Sequence, residues 1–246
     1  MVDAERRAVY SRLILRKLVS SKVTWVAGAA LLVVVGIFWI KDSNKTAFEA
    51  FLGLSPYFFL FLTQDMIRGE VDSGSLENVL FVDGGYKTYL LMKNRVVAGA
   101  AAAFVSGLAV VLAVPMAVNG TFPARTAIPL FLMALAVGIY FVLLGNTLSL
   151  FLKGGSNAMI VIVAQAVFFV WQMMSLNRQG GFMTYLETGT FPDFGARLRF
   201  MGVAAVIPNL LIKSRFVLYG LEFLLLAAAL WGFQRYKVGR LELERR

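Results

Sequence analysis

Gln64-Asp65-Met66-Ile67-Arg68-Gly69-Glu70-Val71-Asp72-Ser73-Gly74-Ser75-Leu76-Glu77-Asn78-Val79-Leu80-Phe81-Val82-Asp83-Gly84-Gly85-Tyr86-Lys87 is a dense polar stretch in an otherwise apolar chain, and it continues through Thr88-Tyr89-Leu90-Leu91-Met92-Lys93-Asn94-Arg95. Between Gln64 and Arg95 lie five of the fourteen carboxylates (Asp65, Glu70, Asp72, Glu77 and Asp83) together with Arg68, Lys87, Lys93 and Arg95. Long apolar runs flank it on both sides. A segment this charged belongs in water, whereas the runs beside it reach the roughly 18–20 residues that cross about 30 Å of hydrocarbon as a helix. The stretch therefore reads as a water-exposed connection between two membrane spans.

Composition agrees with that reading. Of 246 residues 59% are hydrophobic, with a mean hydropathy of +0.74, against about 45–50% apolar in an ordinary soluble domain. The expected fold class is an all-α polytopic membrane protein, a single transmembrane domain over residues 1–246. The chain contains no Cys and no His. Thiol chemistry, disulfides and His-based metal sites are thereby excluded, and the commonest general base is missing. The net charge of +10 fits basic residues flanking membrane spans and facing anionic lipid. No basic patch is interleaved with exposed aromatics in the way a nucleic-acid surface would need. Membrane lipids are expected partners and nucleic acid is not.

Along the chain, residues 1–22 carry Arg6, Arg7, Arg12, Arg16, Lys17 and Lys22, and Tyr10, Ile14 and Leu18 share one helical face. Two readings stay open: a helix lying in the membrane interface, or a plain positive anchor for the first span. The charges and the lack of a small-residue cleavage site argue against a removable signal peptide. Six transmembrane spans are expected at 23–40, 47–67, 96–118, 126–152, 158–176 and 215–233. Pro56 should kink the second span. Ala98–Ala103 is small enough to let helices approach closely in the third. Residues 177–214 form an atypical segment whose apolar run, Phe200–Ile212, is interrupted by Pro208 and is too short to span; a re-entrant or interfacial helix pair on the outer side is expected. Residues 234–246 read as a charged tail. With the N-terminus inside, the inner connections hold 16 Lys and Arg and the outer ones 8, which places both termini in the cytoplasm and residues 68–95 with them.

Within the organising stretch, Asp72 and Ser73 suit a helix start, and Glu77 falls in the first turn, where a carboxylate complements the helix dipole. Leu76, Val79 and Leu80 share a face, and Gly84-Gly85 ends the helix. Such a short helix can dock in a partner's groove; an ordinary solvated loop is the plainer alternative. Polar groups inside the spans are the second set of candidates: Tyr57, Gln64, Asn146, Gln165, Gln172 and Glu222. Glu222 stands out, because an ionisable group at membrane depth carries a functional expectation; lying at the outer interface, or pairing with Arg215 or Lys213, are the plainer alternatives. Asp65 is expected to pair with Arg68. Gln165 and Gln172 are seven residues apart and suit either helix–helix hydrogen bonds or a lined pathway.

Arg68-Gly69-Glu70 followed by Ser73-Gly74-Ser75-Leu76-Glu77-x-x-Leu80 resembles the cytoplasmic signature after the second span of ABC-2-type permeases, the membrane subunits of ABC exporters of the type V fold. Leu90-Leu91-Met92-Lys93 is similar to that family's lead into the third span, and Phe233-Gln234-Arg235-Tyr236 to its aromatic-x-Arg-Arg ending. The chain departs in lacking the usual Pro, where Val82-Asp83-Gly84-Gly85 stands, in Ser75 for Thr, and in Met92 for Gly. The resemblance implies a permease that pairs with a second copy of this chain or a related permease. It implies a separate ATP-binding cassette ATPase subunit that binds ATP and Mg, since this chain has no Gly-x-x-x-x-Gly-Lys-Ser/Thr loop. It assigns Arg68, Glu70, Ser73, Gly74, Leu76, Glu77, Val79 and Leu80 to a cytoplasmic coupling helix on which that ATPase pushes. It places the chain in a bacterial or archaeal plasma membrane, with no catalytic role of its own. The alternatives are a non-transporting assembly or mechanotransmission protein driven by an ATPase, and an intramembrane enzyme, for which the transmembrane Asp pair of an aspartyl protease is missing.

Overall fold

The computed structural model describes residues 2–64, 67, 69–70, 74, 86–152, 157–175, 182–213 and 216–244, all-helical with no strand among them. In chain order the helices are α1 (Val2–Ser20), α2 (Lys22–Lys41), α3 (Asn44–Leu62), α4 (Tyr86–Val118), α5 (Ala124–Leu148), α6 (Asn157–Ser175), α7 (Phe182–Thr188), α8 (Phe194–Val206), a 3₁₀ helix (Pro208–Lys213) and α9 (Phe216–Glu244). Three of them, α2, α4 and α5, are long and apolar enough to cross a membrane. Their outward faces are apolar too: Trp25, Val33 and Ile40 on α2, Val110, Val111 and Val114 on α4, and Ile128 and Leu132 on α5 are all exposed. Water does not tolerate that much continuous apolar surface, whereas lipid does. The chain is thus a helical membrane protein.

Helix α3 is the axis of the bundle. It packs against α2, α4 and α5, and Phe48, Phe51, Leu52, Phe59, Leu60 and Leu62 are buried. Ser43 caps its start, accepting from the Thr46 N–H at 3.2 Å. The helix runs unbroken through Pro56. Proline cannot donate to the Leu52 carbonyl, but the Ser55 hydroxyl donates to that carbonyl at 3.3 Å and takes up the vacancy. The helix ends at Leu62, short of residue 67, where Thr63 turns its hydroxyl back to Leu60 O at 2.6 Å.

Small residues let α5 lie close against α3. A Cβ on Gly138 would come within 2.7 Å of the Phe59 ring, and one on Gly145 would overlap Thr63. These positions are seven residues apart, two turns along one face of α5.

The segment expected on the outside folds back into the bundle. Phe200, Val203, Ala204, Ile207, Leu211 and Ile212 are buried. The last carbonyls of α8 have no helical partner of their own, and other helices supply one. Tyr140 Oη on α5 donates to Ala205 O at 2.9 Å, and Gln165 Nε2 on α6 donates to Val206 O at 2.8 Å. Asn209 Nδ2 donates to Gly53 O, halfway along α3, at 3.0 Å. The turn between α8 and the 3₁₀ helix is therefore lodged at mid-height among α3, α5 and α6. Its other end is closed by Tyr185, Phe191, Phe200 and Tyr219, whose rings contact one another.

The charged C-terminal stretch is helical as far as Glu244, as the continuation of α9. Gln234 and Val238 are buried, and Val238 clusters with Ile67, Tyr86, Leu90 and Leu150. Charge dominates the composition here, yet two residues one turn apart on a single face suffice to anchor a helix.

Candidate functional site

The bundle end that carries the start of α4 and the second half of α9 holds an ion cluster. Glu70 Oε2 accepts from Lys93 Nζ at 2.6 Å, and Glu70 Oε1 accepts from Lys17 Nζ at 3.1 Å and from the Tyr89 hydroxyl at 3.2 Å. Lys93 is 1% exposed and the Glu70 side chain 9%, whereas the Lys17 side chain is 53% exposed. The Lys93 ammonium also lies 5.5 Å from the centre of the Tyr89 ring, which packs edge-on against Tyr10. On α1, Ile14 and Leu18 are buried as their shared face predicts, and Lys17 lies beside them. The amphipathic helix α1 is thus latched to the first turns of α4 by both apolar and ionic contacts.

Helix α4 has 33 residues, about 50 Å at 1.5 Å per residue. That exceeds the hydrocarbon thickness, so α4 is longer than a crossing needs, and Tyr86–Arg95 forms the polar leader at its start. In this leader burial pushes the Lys93 ammonium down to about 8, with the Glu70 carboxylate pulling the other way and Lys17 adding to the fall. Burial also raises the Tyr89 hydroxyl, and Glu70 raises it further.

Deeper in the bundle a chain of buried amides joins three helices. Asn146 Nδ2 on α5 donates to Asn94 Oδ1 on α4 at 2.6 Å, and Asn94 Nδ2 donates to Gln234 Oε1 on α9 at 3.0 Å. Asn157 bridges α3 and α5, its Nδ2 donating to Thr63 O at 3.3 Å and Gly145 O at 3.2 Å. Asn146 is therefore a strut between helices.

The remaining candidates separate in space. Tyr57 and Gln64 line a groove of 580 Å³ between α2 and α3, with Leu31, Phe58 and Phe61 as apolar walls and Lys22 at its mouth. Gln165 sits behind it and accepts from the Tyr57 hydroxyl at 2.6 Å. Gln165 thereby joins the groove wall to the lodged turn, since its other amide atom holds Val206 O. Glu222 lies at the opposite end from Glu70 and pairs with Arg197 on α8; Arg215 and the side chain of Lys213 lie outside the described residues. No group of His, Cys, Asp and Glu suited to a metal occurs among the described residues.

Compared with known proteins, this chain matches no family model, no curated protein and no solved structure. The site therefore rests on its own geometry.

Of the coupling candidates, Glu70 and Gly74 are described. Gly74 has φ +69°, the left-handed region that favours glycine. Arg68, Ser73, Leu76, Glu77, Val79 and Leu80 lie outside the described residues, as do the expected short helix, Asp65 and the side chain of Gln172. Sequence reasoning missed the roles of Lys17, Tyr89, Lys93, Asn94, Asn157 and Gln234. Lys17 enters the sequence reading as a charge in a topology count, and Lys93 as that and as part of the family resemblance, neither as a partner of Glu70. A hint was available in Asn94 and Gln234, polar residues at the edges of apolar runs, but their pairing across 140 positions is written in no local pattern.

Proposed function

We propose that this chain is the permease subunit of an ATP-binding-cassette exporter, with six membrane spans, both termini cytoplasmic, and a translocation pathway completed by a second permease subunit. The energy comes from separate ATPase subunits that bind ATP and Mg. The observation that carries the reading is the Lys17–Glu70–Lys93 cluster. Glu70 closes the Arg-Gly-Glu portion of the coupling signature, and its carboxylate ties that segment both to α1 and to the leader of α4. A push on residues 68–85 is then borne at once by two further helices. Work enters as differential binding: the closed ATPase pair favours one packing of the bundle over another. In this reading Leu76, Glu77, Val79 and Leu80 meet the ATPase, and the groove holding Tyr57 and Gln64 borders the pathway.

The test is mild-detergent isolation of the chain from its native membrane with partners identified by mass spectrometry. A stoichiometric partner bearing a Gly-x-x-x-x-Gly-Lys-Ser/Thr loop, lost in Glu77→Arg, supports the proposal. Absence of any nucleotide-binding partner, under conditions that hold a known ABC complex together, refutes it.

A further inference from the structure

A small pocket of 90 Å³ lies between the leader of α4 and the second half of α9, with Lys87, Thr88, Asn94, Trp231 and Arg235 in its lining. Its volume is several times the roughly 30 Å³ that one water takes up. Its chemistry is one-sided. Lys87 and Arg235 bring two cations, Thr88 a hydroxyl, and no carboxylate lines it. Neither cation has an ion pair among the described residues, although Lys93, further along α4, pairs with Glu70.

Both cations are placed by the helices rather than left free in water. The stem of Lys87 lies over the α9 backbone, where a Cβ on Gly239 would come within 3.2 Å of its Cε. The Arg235 guanidinium stands 4.8 Å from the Trp231 ring centre. The surroundings offer donors in excess of acceptors, which suits an oxyanion.

The outer wall shows where that oxyanion comes from. Leu224, Ala228, Trp231 and Arg235 follow one another at helical spacing along a single stripe of α9. Leu224 and Trp231 are exposed, so the stripe leads from the cations up along an apolar surface. A phosphate with an acyl chain attached matches both halves, and an interfacial Trp beside basic residues is where lipid headgroups lie. We propose that this pocket binds the phosphate of an anionic membrane phospholipid, its acyl chain lying along the α9 stripe. The lipid would pin the leader of α4 to α9 beside the buried Asn94–Gln234 bond. The site stands whether or not an ATPase partner exists.

The test uses the purified full chain with whatever partners co-purify, titrated with phosphatidylglycerol or phosphatidylcholine and read by native mass spectrometry. One saturable phosphatidylglycerol is expected, with phosphatidylcholine markedly weaker. Lys87→Gln and Arg235→Gln should each weaken it about fivefold and together about 25-fold, from roughly 1 kcal/mol per basic residue near a membrane surface. Lys87→Arg should retain binding. Both side chains are exposed, so the variants should fold, which unchanged elution on size exclusion verifies. Equal loss in Arg240→Gln or Lys22→Gln, or no loss in the double variant, overturns the proposal. Displacement of the lipid by millimolar inorganic phosphate alone would make free phosphate the occupant and overturn the lipid assignment.

Discussion

Glu70→Gln keeps the size of the side chain and removes only its charge. In the wild type the Lys93 ammonium, 1% exposed, faces the Glu70 carboxylate at 2.6 Å. In the variant that ammonium stays buried beside a neutral amide, with Lys17 still a like charge nearby. Breaking a buried pair by removing one partner costs about 3–5 kcal/mol. A ceiling follows from the alternative open to the protein, which is to release the Lys93 proton. From the native pKa of about 8, deprotonation at pH 7 costs only about 1.4 kcal/mol at 1.36 kcal/mol per pH unit. The expected loss is therefore about 1–1.4 kcal/mol, or a fall in melting midpoint of roughly 2–6 °C for a chain of this size. The assay is thermal unfolding in mild detergent at pH 7, followed by tryptophan fluorescence. Adding Lys93→Met should restore most of the loss, because a Gln–Met pair has no charge to strand. The deficit also has a pH signature. The native Lys93 pKa, about 8, lies below its ordinary 10.5. Between these values the native state holds fewer protons at this site than the unfolded one, so the site's contribution to stability rises with pH. In the variant the native pKa is lower still, and the difference between the two proteins should shrink as pH climbs past 8. A Glu70→Gln midpoint no lower than wild type at pH 7, or a double variant as impaired as the sum of the singles, refutes the reasoning.

Three further outcomes are expected. Gly145→Ala places a methyl on Thr63 and should cost about 1–3 kcal/mol as overpacking; Thr63→Ala in the same chain should recover part of it, and Gly36→Ala, which meets nothing within 4 Å, should leave the melting midpoint nearly unchanged. Gln165→Leu removes the partner of both the Tyr57 hydroxyl and the Val206 carbonyl, with an expected loss of about 2–4 kcal/mol from two stranded polar groups; faster hydrogen exchange over 206–213 would locate it at the lodged turn, and unchanged exchange there would contradict the role given to Gln165. Arg197→Gln should lower the midpoint only slightly, by about 1 kcal/mol or less, because the Arg197 side chain is 49% exposed and water screens such a pair; a double-mutant cycle with Glu222→Gln reads the coupling directly.

How much of this was legible in the sequence follows from the range of each interaction. Apolar run length marks helices long enough to cross a bilayer, because hydrocarbon thickness sets a length that composition alone reveals. The face of α1 was legible for the same reason: Tyr10, Ile14 and Leu18 recur at helical spacing, and the helix buries Ile14 and Leu18. Gly138 and Gly145 carry no local mark of the close approach to α3, which exists only once Phe59 and Thr63 are in place. Phe200–Ile212 was visibly too short to span, yet its depth is decided by Tyr140, Gln165 and Asn209, which satisfy or use backbone carbonyls far away in sequence.

The sequence by itself determined that the chain is helical, that it belongs with lipid, and that Cys and His chemistry is absent, because these depend on composition and on period. Only the tertiary structure decided that Lys93 is buried against Glu70, that Glu222 meets Arg197, and that Asn146, Asn94 and Gln234 form one chain of amides. A charge written in a sequence carries no depth. Whether it lies in water or in the core is set by which helices close over it, and its partner is whichever opposite group those same helices bring within about 4 Å.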